Sequence, residues 1–77
     1  MRILDEENNK IIDSILLMLT PSEMEEMAGK IRNINPETGD HVHINDMDYI
    51  RQITILVYTP HNLEFFDEKV RKAIEGS

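Results

Sequence analysis

The chain has 77 residues and carries 15 acidic side chains against 8 Lys and Arg, which gives a formal net charge of −7. A chain of this length supports a single domain, residues 1–77, and is too short for a closed barrel or a doubly wound sheet. The negative charge repels phosphate backbones, so we expect no nucleic-acid binding, and it speeds the encounter with a basic partner.

The cellular location is predicted from the cysteine content and the apolar runs. No cysteine is present, which excludes a disulfide framework and a Cys-based zinc site. Because small secreted domains usually depend on disulfides, a cytoplasmic location is expected. The N-terminus turns acidic after a few apolar residues, unlike a signal peptide, and the apolar run at residues 15–19 is too short to cross a bilayer. We therefore expect no membrane association.

A first helix is predicted over residues 6–19. Its apolar residues recur at spacings of three and four along one stripe, which is typical of an amphipathic helix. The stripe consists of Ile12, Ile15, Leu16 and Leu19. Because further apolar side chains widen the stripe toward its C-terminal end, this helix is predicted to be the central one.

A second helix is predicted to start at residues 20–23, which read Thr-Pro-Ser-Glu. Thr20 can cap the helix, Pro21 suits the first helical position, and Glu23 can reach back to complete a capping box. Asn33 and the polar, proline-containing stretch after it predict the end of this helix.

An antiparallel β-hairpin is predicted in the second half of the chain. Residues 35–40 have a turn-forming composition, residues 41–44 alternate polar and apolar, and residues 50–59 are rich in β-branched and aromatic side chains. Counting in twos directs one apolar set toward the helices: Val42, Ile44, Ile53, Ile55 and Val57. The opposite, outer sheet face carries few charges and consists of His41, His43, Gln52, Thr54, Leu56 and Tyr58.

A third helix is predicted to open at Thr59-Pro60, which repeats the cap-then-proline pattern, and to run to about Ile74. Because a two-stranded sheet is marginally stable alone, the helices are expected to pack on it. The predicted fold is therefore α+β in the order ααββα. It has two N-terminal helices, an antiparallel β-hairpin and a C-terminal helix, with the helices on one sheet face.

The sharpest chemical feature is a pair of histidines, His41 and His43, separated by one residue. On a strand the two imidazoles point the same way and can reach one metal ion, with an oxygen ligand from Asp40, Asp46 or Asp48. Alternating histidines are more often a polar strand face, and a third ligand with supporting contacts is not evident, so we expect no metal and no cofactor. The glycines and serines lack the spacing of a phosphate loop or a hydrolase nucleophile.

One resemblance to a known family rests on two stretches of this acidic chain with its helical N-terminal half. Gly39-Asp40-His41-Val42-His43 leads into a strand, and Tyr58-Thr59-Pro60-His61-Asn62-Leu63 opens the final helix. This combination resembles the small immunity proteins that accompany bacterial polymorphic toxins. The resemblance implies a non-catalytic inhibitor that covers the active site of a toxin and meets a basic surface with an acidic one.

Three functional hypotheses follow from these patterns. The first is a non-catalytic protein-binding module of the inhibitor or immunity type, with a basic protein as its partner. Its predicted contact surface is the outer sheet face with two nearby carboxylates, namely His41, His43, Gln52, Thr54, Leu56, Tyr58, Asp46 and Asp48. The second is a metal-dependent enzyme or metal sensor that uses His41 and His43. The third is a homodimeric accessory domain that pairs through Leu56 and Tyr58 or through an edge strand.

Overall fold

The computed structural model describes residues 1–46, 48 and 50–76. In this part of the chain, two short antiparallel hairpins alternate with two α-helices. The elements in chain order are β1 (Leu4–Asp5), β2 (Lys10–Ile11), α1 (Pro21–Arg32), β3 (His41–Asn45), β4 (Gln52–Leu56), a 3₁₀ turn (Leu63–Phe65) and α2 (Glu68–Glu75). Each helix follows a hairpin, so the order is ββαββα.

The fold is α+β, but the predicted order ααββα is wrong, because the N-terminal half contains a hairpin and one helix instead of two helices. In this hairpin Leu4 pairs with Ile11 and Asp5 pairs with Lys10. Residues 12–20 form neither helix nor strand. The arrangement of three helices on one sheet face is wrong for the same reason.

Local polar bonds explain why the helix predicted over residues 6–19 does not form. The Asp5 carboxylate accepts hydrogen bonds from the main-chain N–H groups of Glu7 and Asn8, at 3.1 and 3.4 Å, and from the Asn8 amide at 2.9 Å. The Asn8 amide is the main reason that the pKa of Asp5 lies below its ordinary value. Asn9 follows with a left-handed φ of 58°, which a right-handed helix excludes. The side-chain hydrogen bonds of Asp5 therefore stabilise a tight turn at the residues where the first turn of the predicted helix would form.

α1 begins and ends where the sequence predicts. The Thr20 hydroxyl accepts a hydrogen bond from the Glu23 N–H at 3.2 Å, and the Glu23 carboxylate accepts one from the Thr20 N–H at 2.9 Å. This is the predicted capping box, and Asn33 closes the helix as predicted. The helix lies against β3, where the Lys30 ammonium donates to the carbonyl oxygen of His43 at 2.8 Å.

β3 and β4 pair antiparallel, as predicted, and their register agrees with the period-two assignment for residues 41–45 and 52–56. Val57, predicted on the helix-facing side, lies beyond the end of β4 and is 37% exposed. Val42 lies opposite Ile55 and Ile44 lies opposite Ile53, so these four side chains share one face of the sheet. Within the described residues, the buried apolar core is small and consists of Ile34, Ile44 and Phe66. A core this thin leaves many apolar side chains at the surface.

The C-terminal helix starts later than predicted. β4 ends at Leu56, short of the predicted residue 59, and α2 begins only at Glu68. Asp67 caps it, because its carboxylate accepts a hydrogen bond from the Val70 N–H at 3.0 Å. Neither helix in the part of the chain that the structure describes has the length and apolarity needed to cross a membrane.

Asn62 explains why Thr59 and Pro60 do not open that helix. Its side chain is 1% exposed. The side-chain oxygen accepts from the Thr59 N–H at 2.8 Å, and the amide nitrogen donates to the carbonyls of Val57 and Pro36 at 2.9 and 2.6 Å. These bonds hold the chain in a turn and attach it to the turn at residues 36–39, which lies within the predicted turn at residues 35–40.

Candidate functional site

The sheet register brings most of the predicted outer face together. His41 lies opposite Leu56, His43 opposite Thr54, and Gln52 opposite Asn45, so the predicted residues of the two strands share one face. The histidines and Gln52 are exposed, whereas Thr54 and Leu56 are half-buried. This predicted surface is therefore polar where it is most accessible.

Tyr58 lies outside the paired strands. β4 ends at Leu56, and Tyr58 follows two residues later with a half-buried side chain. The pairing between β3 and β4 ends at Leu56, so Tyr58 is not part of the paired face. Its predicted place in the contact surface stays a prediction.

The two histidines contact each other and one threonine. Their ring centroids lie 4.9 Å apart at an interplanar angle of 77°, an edge-to-face arrangement. His43 Nδ1 lies 2.9 Å from the Thr54 hydroxyl, within hydrogen-bond distance. The Asp40 carboxylate accepts from the main-chain N–H groups of Asn35 and His41, at 3.4 and 3.1 Å. Asp40 thus serves the turn before β3.

The metal-site alternative lacks a cluster in the described residues. Among residues 1–46, 48 and 50–76, no group of three or more His, Asp or Glu side chains is placed to hold a metal ion. His41 and His43 are the residues that could supply two ligands. The prediction that the chain binds no metal stays a prediction.

Asp46 organises the loop between β3 and β4. Its carboxylate accepts hydrogen bonds from the N–H groups of Ile50 and Arg51, at 2.9 and 3.2 Å, and lies 3.3 Å from the Arg51 guanidinium. Partial desolvation raises the pKa of Asp46, but these hydrogen bonds together outweigh it and hold the pKa below its ordinary value. Asp48 is exposed in the same loop. Of the two predicted carboxylates, Asp46 is engaged inside the loop and Asp48 faces solvent.

The most exposed apolar run among residues 1–46, 48 and 50–76 is residues 15–19, named here the apolar edge. It contains five consecutive apolar side chains, with exposed fractions of 52% for Ile15, 81% for Leu16, 46% for Leu17, 82% for Met18 and 38% for Leu19. Leu17 and Leu19 form one wall of an open cleft of about 260 Å³. Thr20, Pro21 and Met24 complete its lining.

Acidic residues flank the apolar edge on both sides. Asp13 precedes it, and Glu23, Glu25 and Glu26 follow it on α1. No Lys or Arg occurs between Lys10 and Lys30 in the sequence. The apolar edge therefore lies within the longest stretch of the chain that carries negative charge alone.

The prediction of a helix stripe is wrong at the apolar edge, because residues 15–19 form no helix and all five side chains are exposed. Five consecutive apolar residues satisfy a helical stripe and a short strand equally well, so periodicity does not separate them. Thr20-Pro21 favours a break before residue 21, but the predicted helix already ended at residue 19, so this signal does not distinguish a helix from an extended segment at residues 15–19.

Comparisons with protein-family models, with curated proteins and with solved structures find no match to this chain. The resemblance to small immunity proteins therefore stays a prediction. The function is therefore argued from the exposed surfaces of the chain itself.

Proposed function

We propose that this chain is a non-catalytic protein-binding module whose partner is a basic protein. The observation that supports this function is the apolar edge, with five consecutive apolar side chains left at the surface. Single exposed apolar residues are common on proteins, but contiguous apolar patches usually mark interaction sites. A partner that removes Leu16 and Met18 from water gains about 1.5–3 kcal/mol for each side chain.

The charge around the apolar edge indicates the chemistry of the partner. The whole chain carries a net charge of −7, and the residues on both sides of the edge are acidic. A basic partner is attracted over long range and binds faster at low ionic strength. Such a combination of an apolar contact with acidic flanks suits a surface that carries apolar side chains between Lys and Arg.

The inhibitor or immunity role is the finer form of the same proposal. An acidic module of this size can cover the active site of a basic enzyme without doing chemistry itself. In that role the exposed residues of the outer sheet face, His41, His43 and Gln52, form a second contact surface. Gene neighbourhood supports this form if a toxin gene lies immediately upstream.

A homodimeric accessory domain is the second candidate, because the apolar edge of one chain can also pack against the apolar edge of a second copy. Two copies in contact there bring Asp13 and Glu23 of each chain toward those of the other. Like charges placed together oppose association, which favours a basic partner over a second copy.

Site-specific crosslinking in the source cells tests the proposed function. A photo-reactive amino acid replaces Leu16, and a matched control carries it in place of Phe65, which is 56% exposed. We expect ultraviolet light to produce an adduct with one basic protein from position 16 and not from position 65. Adducts from neither position, or from both equally, contradict the proposal. An adduct of two copies of the chain supports the homodimer instead.

A further inference from the structure

We infer that the apolar edge receives an extended segment of the basic partner as an added β-strand, an inference that rests on the function proposed above. Strand addition supplies affinity through main-chain hydrogen bonds and specificity through alternate side chains. Four features of residues 12–26 support this mode of binding over a flat apolar contact.

The first feature is the alternation of exposure along the edge. Leu16 and Met18 are 81% and 82% exposed, whereas Ile15, Leu17 and Leu19 are 52%, 46% and 38% exposed. Successive side chains of a strand point to opposite sides, so a period of two is typical of extended backbone. The edge therefore presents Leu16 and Met18 most fully to solvent, while Leu17 and Leu19 line the open cleft beside α1.

The second feature is the unpaired main chain. Within the residues that the structure describes, the N–H and carbonyl groups of residues 15–19 make no hydrogen bond to another part of the chain. Main-chain groups require partners when a protein surface covers them. A partner that covers the apolar side chains without pairing this main chain leaves these groups unsatisfied, whereas an added strand satisfies them.

The third feature is that both ends of the edge are held. The Ile12 N–H donates to the Ile3 carbonyl at 2.9 Å, which continues the β1–β2 pairing toward the edge. At the other end Thr20 has extended dihedral angles, φ −74° and ψ 162°, and is fixed by the capping box of α1. A segment that is held at both ends loses less conformational entropy when a strand pairs with it.

The fourth feature is the distribution of charge, which specifies the added segment. Asp13 lies at one end of the edge, and Glu25 lies beyond the other. Glu23 and Glu26 lie there too, but the Glu23 carboxylate bonds to the Thr20 N–H and Glu26 pairs with Lys30 at 3.0 Å. The complementary segment is extended, alternates apolar side chains, and carries Lys or Arg at its ends. A second copy of this chain supplies the apolar side chains but not the basic ends.

A displayed library of short random peptides provides the probe for this inference. The purified chain selects peptides from the library, and the affinity of synthetic copies is measured by fluorescence anisotropy. Selected peptides are expected to alternate apolar residues between Lys or Arg. The double variant Leu16→Asp with Met18→Asp should weaken binding about tenfold or more. The matched control Ile50→Asp should leave it unchanged.

Proline substitutions separate strand addition from a side-chain contact. In a strand, the N–H and carbonyl of one residue point to one side and those of the next residue to the other. Leu16→Pro and Leu17→Pro should therefore differ, with one losing binding about tenfold or more and the other losing no more than its alanine counterpart. Circular dichroism confirms that each variant stays folded.

Two outcomes overturn different statements. Peptides that lose binding in the double Asp variant but show helical spacing, or respond equally to proline at both positions, overturn strand addition and leave the protein-binding function standing. A library without binders, or binders that are insensitive to the double Asp variant, overturns the function of the apolar edge itself.

Discussion

Replacement of Asn62 tests whether one buried amide fixes the path of the chain between β4 and α2. The variant Asn62→Ala removes three hydrogen bonds and leaves the Thr59 N–H and two carbonyl oxygens without their partner. A net loss of about 0.5–1.5 kcal/mol for each bond gives a cost of about 3 kcal/mol. Since 1 kcal/mol shifts the Tm of such a small domain by roughly 4–8 °C, the expected fall is on the order of 12–24 °C.

Asn62→Asp changes the charge at nearly constant size. A carboxylate there retains an acceptor for the Thr59 N–H but places its second oxygen against the carbonyls of Val57 and Pro36. Burial and these oxygens raise the pKa of the new carboxyl group, because they disfavour its charged form. A raised folded-state pKa means that stability is highest at low pH and falls as the pH rises above about 4, the pKa of an unfolded Asp.

Thermal and urea unfolding of both variants, followed by circular dichroism between acidic and neutral pH, provide the assay. Asn33→Asp is the matched control, because Asn33 is exposed at the end of α1. A Tm for Asn62→Ala within about 3 °C of the unsubstituted chain would refute the reasoning. So would a pH profile for Asn62→Asp that matches the control.

Three further predictions concern the core, the hairpin loop and the histidines. Phe66→Ala should cost about 3–5 kcal/mol in thermal unfolding, because it empties a buried aromatic site, whereas Phe65→Ala, at a residue 56% exposed, should cost clearly less. The pKa of Asp46 is lowered in the folded state, so its stabilisation is lost as the pH falls below about 4. Asp46→Asn should therefore flatten the fall in Tm on acidification, and an unchanged profile would contradict the loop assignment. Elemental analysis of the untagged protein should find no stoichiometric metal, whereas one equivalent that disappears in the variant His43→Ala would favour a metal site on His41 and His43.

The elements whose signals lie within a few residues could be predicted from the sequence. The capping box joins Thr20 to Glu23, three positions apart, so the start of α1 follows from local chemistry alone. The faces of the β3–β4 hairpin follow from the period of two, because a slip of one residue exposes Ile44 and buries the histidines. The placement of five of the outer-face residues on one side of the sheet was therefore accessible from the sequence.

The candidate site at residues 15–19 could not be predicted in the same way. Its apolar residues fit a helical stripe, and the hydrophobic pattern contains no information on the hydrogen bonds that Asp5 makes in the turn before it. Periodicity therefore predicts burial for side chains that the fold leaves exposed. These side chains, at residues 15–19, form the candidate site.

The sequence by itself determined the α+β class, the start of α1 and the faces of the β3–β4 hairpin, because hydrogen bonds between near neighbours and strand alternation are local properties. Only the tertiary structure decided the path of the chain between β4 and α2 and the exposure of the apolar edge. Asn62 donates a hydrogen bond to the carbonyl of Pro36, 26 positions away. A bond between residues so far apart produces no periodic pattern in the sequence near either of them. Burial likewise depends on which distant side chains cover a segment, and here the thin core leaves residues 15–19 at the surface.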